Sequence, residues 1–315
     1  MRQVKWTGVY PAVTTKFKAN GDLDMPAFLK NIDYQVKAGV NGVIIGGSLG
    51  ESSTLNHQER LELAQATVDQ FGNQIDVILN IAEGSTRNAI QLAQAAEAIG
   101  VHGLMLLPPM MYKPTDQEVA DYFKTVAKST NLSILVYNNP VDYKIEITLE
   151  IFDQFVAIEN IQAVKESTRD ISNVTRMKNR FGDRFKILCG VDTLAMEELL
   201  MGADGWVAGL VDAFPRETVA IYRLVKAGRI DEALAIYRWF LPILELDINP
   251  QLVQNIKLAE VMTGIGTEHV RAPRHILVGA ERERVIAILE KGLAIRPELP
   301  DYLAIGEENS IGELV

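Results

Sequence analysis

The chain has 315 residues, 48% of them hydrophobic and 23% charged, with a formal net charge of −10. An α/β barrel uses about 200–250 residues as one domain, so this length is enough for a large core in one domain or two. The acidic balance argues against nucleic acid or an anionic membrane as partner, because both are bound through clustered Lys and Arg. A single cysteine, Cys189, excludes an internal disulfide framework and a Cys-rich zinc site, and points to a reducing, cytoplasmic setting. The opening MRQVKWTGVYPAV lacks the apolar run of a signal peptide, and no apolar stretch is long enough to span a bilayer. His57, His102, His269 and His275 lack ligand spacing; they read as solvated or structural, and no metal site is expected. Nor is there a G-x-S-x-G elbow for a serine nucleophile.

Over the first 210 residues, short apolar runs alternate with longer amphipathic ones. The short runs are 8–13, 42–47, 76–81, 103–108, 133–138, 161–166, 186–190 and 205–210. They are rich in Val and Ile and bounded by Gly, Pro or Asn, which predicts buried strands. Their starts lie 34, 34, 27, 30, 28, 25 and 19 residues apart, and most gaps hold one helix and two short loops. Helical periodicity is clear over 63–71, 89–100 and 119–128. Asp116 with Glu118, and Thr148 with Glu150, are acidic or capping residues suited to helix starts. Eight apolar strands, each followed by a helix, predict a parallel sheet closed into a (β/α)8 TIM barrel. The rival is an open doubly wound sheet, but its G-x-G-x-x-G turn is missing.

Beyond residue 216 the pattern becomes helical over 217–246, 250–264 and 281–295, with turns at Gly228-Arg229 and Asn249-Pro250. Residues 1–225 are read as the catalytic barrel, and 226–315 as a C-terminal helical extension packed on it. The tail from Arg296 onward is punctuated by Pro and Gly and is expected to be loosely ordered.

Barrel chemistry sits where the strands end. Strand 2 runs into Gly46-Gly47-Ser48-Leu49-Gly50-Glu51-Ser52, a glycine-rich turn whose amides can face an anion. No G-K-[ST] follows, so a carboxylate suits it better than a phosphate. Lys165 closes the sixth run and shares a face with Ile161 and Ala163. If that face is the lumen, burial lowers its pKa and frees an amine for Schiff-base formation. Otherwise the side chain snorkels to solvent or pairs with Glu166. On pattern alone the two readings balance. Tyr137 ends the preceding strand, 28 residues earlier, and could face the same lumen as a proton shuttle. Asn139 and Asp192 are candidate contacts to a substrate hydroxyl, with turn-forming bonds to backbone as the alternative. Glu51 and Glu166 read as partners of loop amides.

Three motifs together resemble the dihydrodipicolinate synthase/N-acetylneuraminate lyase family: Gly47-Ser48-Leu49-Gly50-Glu51, Tyr137-Asn138-Asn139-Pro140 and Val164-Lys165-Glu166-Ser167. The resemblance covers roughly residues 5–295. It implies a Schiff-base lysine at Lys165, a proton relay at Tyr137, and a 2-oxo acid carboxylate held by Gly47, Ser48 and the Leu49 amide. It also implies no metal or organic cofactor, a small-molecule carboxylate substrate, and a homodimer or homotetramer. Two departures from the synthase stand out. Asp142 occupies the position of its substrate-gripping Arg, and Met111, with Tyr112 next to it, stands where its partner-donated Tyr belongs. Met110 and Met111 are expected to pack at a subunit contact.

Segments such as LPPMMY, YNNPVDYKIEIT and GADGWVAGLVDAFP resemble the branch that deaminates 1-pyrroline-4-hydroxy-2-carboxylate in hydroxyproline degradation. That branch yields 2,5-dioxopentanoate and ammonia. The alternatives are a dihydrodipicolinate synthase-like or pyruvate-dependent aldolase or lyase acting on a 2-oxo acid, and a barrel that only senses a carboxylate.

Overall fold

The computed structural model describes residues 3–306. Its eight strands are β1 (Gly8–Pro11), β2 (Gly42–Ile45), β3 (Asp76–Ile81), β4 (Gly103–Leu106), β5 (Ser133–Asn138), β6 (Ile161–Glu166), β7 (Lys186–Cys189) and β8 (Gly205–Ala208). All pair in parallel, in the order β1-β8-β7-β6-β5-β4-β3-β2. The ring closes where Ala12 bridges Ile44 and the Val13 amide donates to the Ile44 carbonyl at 3.1 Å. This is the (β/α)8 barrel expected from the spacing of the apolar runs. Strands buried on both faces need Val, Ile and Leu at nearly every position, so each reads as an unbroken apolar segment.

The helices are α1 (Met25–Ala38), α2 (His57–Phe71), α3 (Thr86–Ala98), α4 (Asp116–Ala127), α5 (Pro140–Tyr143) and α6 (Leu149–Asp153). They continue with α7 (Ser172–Phe181), α8 (Ala195–Leu200), α9 (Pro215–Lys226), α10 (Ile230–Leu244), α11 (Leu252–Thr263) and α12 (Gly279–Ala294). Thr148 caps α6 as expected. At α4 the cap is Thr115, one residue before Asp116, and Glu118 closes a capping box with it. Among the described residues, no helix is long and apolar enough to cross a membrane.

The tail was expected to be loose, but residues 296–306 are fastened to the barrel. Arg296 pairs with Glu217 at 2.6 Å, Arg223 donates to the Leu303 carbonyl at 3.0 Å, and Tyr302 is buried. The rest of the tail, 307–315, lies outside the described residues.

A tier of fully buried charge joins α11 to the loops that follow β1 and β2. Lys16 meets Glu260 at 2.8 Å, and Lys257 meets Glu51 at 2.5 Å, with all four side chains shielded from solvent. Thr14 completes the first pair by donating to Glu260, while its own amide donates to Asp212 at 2.9 Å. Removing one member of a buried pair strands the other charge. Lys16→Met is therefore expected to destabilise the fold by about 3–5 kcal/mol, read as a lower urea midpoint with an unchanged slope.

Candidate active site

Parallel barrel strands all end on one face, so the side chains there converge. Tyr137 on β5 and Lys165 on β6 are register partners on adjacent strands. The Lys165 Nζ lies 4.2 Å from the centroid of the Tyr137 ring. Burial holds this amine below the usual lysine range, although Tyr143, Asp247 and Asp192 pull the other way. Burial also pushes the Tyr137 phenol up to about 12, against the Asn139 Nδ2, which donates to its oxygen at 3.1 Å. Gly190 makes room for the lysine stem. A methyl group there would lie 2.1 Å from Ser167 Oγ and 2.7 Å from Lys165 Cγ.

The turn after β2 supplies the opposite wall. Gly46 adopts a left-handed φ of 69°, and a side chain at Gly50 would strike the Val13 carbonyl oxygen at 2.8 Å. Glu51 is also left-handed, at φ 57°, and its carboxylate accepts from Lys257 and from the Arg271 amide at 3.1 Å. Lys257 is itself lowered to about 8 by burial. The turn is thus locked from behind, and Gly47, Ser48 and Leu49 line the cavity. The amides of Ser48 and Leu49 donate to no acceptor among the described residues. Two free N–H groups in a tight turn make a concave anion seat.

Ser48 Oγ hydrogen-bonds to the hydroxyl of Tyr143, whose ring meets Tyr137 edge-on with centroids 5.6 Å apart. Burial pushes the Tyr143 phenol up as well. The cavity these groups enclose holds about 100 Å³ of open space. Its wall away from the turn carries Asp142, Arg169 and Asp247, with Arg169 and Asp142 3.9 Å apart.

For Asp192 and Asn139 the structure shows the turn-forming bonds that were the alternative to a substrate contact. Asp192 does not line the cavity. It is 1% exposed, and its carboxylate accepts from Trp206 Nε1 at 2.9 Å, the Leu210 amide at 2.8 Å and the Gly209 amide at 3.1 Å. No oxygen is left for a substrate, so it serves to fix the turn after β8. Asn139 does line the cavity, but its amide is occupied: Nδ2 donates to Tyr137 and to Asp142 at 2.8 Å, and Oδ1 caps α5. It orients the phenol. Glu166 accepts from the Thr168 amide at 2.7 Å and from Asn173, and Glu51 from the Arg271 amide, both as partners of loop amides. Of the histidines, His57 meets Glu83 at 3.0 Å and His102 accepts from the Val77 amide at 2.9 Å. Among the described residues, no cluster of three His, Cys, Asp or Glu side chains is placed to hold a metal.

The family model described as the dihydrodipicolinate synthetase family matches residues 5–292. The chain belongs to that family. The 4-hydroxy-tetrahydrodipicolinate synthase of Leptospira biflexa is 31% identical over 269 residues, which span 84% of this chain and 90% of that one. Among solved structures, the dihydrodipicolinate synthase of Aquifex aeolicus superposes with a TM-score of 0.86 at 27% identity, covering 90% of this chain and 97% of that one. A family member encoded by an E. coli K12 prophage, solved with pyruvate, has a TM-score of 0.86 at 26% identity over 92% of this chain and 99% of its own. Membership makes the chain a lyase- or aldolase-type enzyme.

Sequence reasoning missed Tyr143, Arg169, Gly190 and Asp247 as cavity residues. Tyr143 lay within reach, because a Pro at the first position of a short helix brings the residue three places on to the same side. Gly190→Ala is expected to push Lys165 off its path. It should cut turnover about 100-fold, as an ångström of misplacement does, while circular dichroism still reports a folded barrel.

Proposed function

We propose that the chain is a class I Schiff-base enzyme in which Lys165 adds to C2 of a small 2-oxo or 2-imino carboxylate. The observation that carries this reading is the buried Lys165 amine stacked on Tyr137, sharing one cavity with the unpaired Ser48 and Leu49 amides. The amides seat the carboxylate. The lysine, its pKa lowered by burial, attacks the adjacent carbon in its deprotonated form. Tyr137, with Ser48 and Tyr143 behind it, moves protons to and from the heteroatom that leaves C2. Tyr143 gives this relay an ending within the same chain. The protonated imine is itself the electron sink, so the chemistry calls for no metal or organic cofactor.

For the substrate we favour 1-pyrroline-4-hydroxy-2-carboxylate. Lys165 adds at C2, and the C2–N bond of the ring breaks, leaving an open-chain iminium with a free amine arm. Loss of the C3 proton and of the 4-hydroxyl as water gives a conjugated system. Tautomerisation moves the unsaturation to C5, and hydrolysis there and at C2 releases ammonia, 2,5-dioxopentanoate and the free lysine. In sum, one water is consumed and one ammonia leaves. Asp142 in the cavity wall, with Arg169 3.9 Å away, favours a substrate whose far end is uncharged.

The second reading is condensation of pyruvate with a carboxylate-bearing aldehyde, or the reverse cleavage. The names of the similar proteins favour it over deamination: the Leptospira and Aquifex proteins are synthases, and the prophage protein was solved with pyruvate. In either case we expect a homodimer or homotetramer. Met111, 82% exposed in the single chain, and Tyr112 beside it suit a subunit contact.

Incubation with 1-pyrroline-4-hydroxy-2-carboxylate is expected to release ammonia, and Lys165→Ala to abolish it. Release no faster than the variant's would rule out the deaminase. An aldehyde-dependent loss of pyruvate would then support the second reading. Tyr143→Phe is expected to lower turnover about 10–100-fold, with borohydride trapping of pyruvate on Lys165 retained.

A further inference from the structure

Asp247 lies outside every motif, 82 residues beyond Lys165, in the turn that carries the chain from α10 into α11. Its amide donates to the Leu244 carbonyl at 3.0 Å, which closes the end of α10 and turns the side chain toward the barrel mouth. There the carboxyl lines the cavity together with Lys165, Tyr137, Asn139 and Arg169. It rests against Gly209, where a methyl group would come within 2.6 Å of its Oδ1. The Gly209 amide is itself held by Asp192, so the floor under the carboxyl is fixed by a buried acid on another loop. Among the described residues, no group donates a hydrogen bond to Asp247. It is the one acid in the cavity wall whose oxygens are left to a ligand, for Asp142 is engaged by Asn139.

We propose that Asp247 is the acid that protonates the departing oxygen of the substrate held on Lys165. The proposal rests on the reading of Lys165 as the Schiff-base lysine. In the step itself, C3 of the iminium gives its proton to solvent, the C3–C4 double bond forms and the C4–O bond breaks. The Asp247 proton goes to that oxygen. The products are water and an Asp247 carboxylate, which takes a proton back from solvent before the next turnover.

The surroundings keep the proton on Asp247 until it is needed. Burial pushes its carboxyl up to about 8, and Asp192 after β7 and Asp142 on α5 push the same way. Lys165 on β6 and Arg169 in the following loop pull it down without prevailing. A carboxylic acid that is neutral near pH 7 is a far better donor to a leaving hydroxyl than the Tyr137 phenol, held at about 12. A carboxylate raised in this way is protonated below its pKa, so its acid function is present at neutral pH and lost as pH rises through about 8.

The test is Asp247→Asn, which keeps shape and removes the acidic proton. Pyruvate loses only its C2 oxygen as it forms the imine and has no C4 hydroxyl, so borohydride trapping of pyruvate on Lys165, read by intact mass, reports Schiff-base formation without the C4–O cleavage. We expect the adduct in wild type and variant alike. With the 4-hydroxy substrate, kcat should fall about 100–1,000-fold while KM stays within a few-fold. Wild-type kcat should decline above about pH 8, and the variant should lack that limb. Gly209→Ala, which crowds the carboxyl from its other side, should reproduce the loss of kcat with the adduct intact. A normal adduct with kcat within five-fold of wild type, or an unchanged alkaline limb, overturns the role of Asp247 alone. No adduct in the wild type removes the Schiff-base reading, and the proposal with it.

Discussion

Keeping one lysine amine out of water is the constraint around which the rest of this molecule is arranged. A solvated ammonium is inert as a nucleophile, and a buried one is costly unless it sheds its proton or finds a countercharge. Here desolvation outweighs the nearby acids, because the ring of Tyr137 covers the amine and the bare backbone of Gly190 lets the stem pass. Each of these residues sits at a strand end or just beyond it. Their positions are therefore set by the hydrogen-bonded register of β5, β6 and β7, which is as rigid a frame as a protein offers.

The amine is useful only if the anion seat stays at a fixed distance from it, and that seat is a loop. Loops of this kind are held by what lies behind them. Glu51, fully buried and in a left-handed conformation, is clamped by Lys257 on α11 and by the Arg271 amide. Such a pair adds little net stability compared with apolar packing, since desolvation offsets most of the attraction. Its contribution is positional: it permits one placement of the turn. Through it, α11 fixes the glycine-rich turn, while the turn before α11 brings Asp247 to the lining of the same cavity. The C-terminal helices thus help build the site that the barrel strands open.

How much of this could be read from the sequence follows from the range of each interaction. The eight strands were legible because a strand buried on both faces must be apolar along its whole length. Tyr137 and Lys165 were legible because one βα unit separates them and parallel pairing sets them at one height. Asp192 misled for a reason equally physical. A polar residue at a strand end can face the cavity or satisfy the next turn, and only the position of the Gly209 and Leu210 amides decides between them. Asp247 carried no local signal at all. Its place depends on how α10 packs against α9 and on where the following turn falls, and neither shows in the residues around it.

The wall opposite the anion seat is what separates chemistries within one Schiff-base scaffold. Once the iminium has formed, the protein has only to decide which bond at the far end breaks and where the proton comes from. A guanidinium at position 142 would grip a second carboxylate and favour joining two acids. The carboxyl found there instead faces Arg169 across 3.9 Å and spends that charge internally. With that countercharge consumed, a second substrate carboxylate would approach the Asp142 charge with little to offset the repulsion. A neutral hydroxyl meets no such barrier, and it finds in Asp247 an acid that still holds its proton. The charge that discourages one class of substrate is thus part of the same arrangement that raises the pKa of the acid the other class requires.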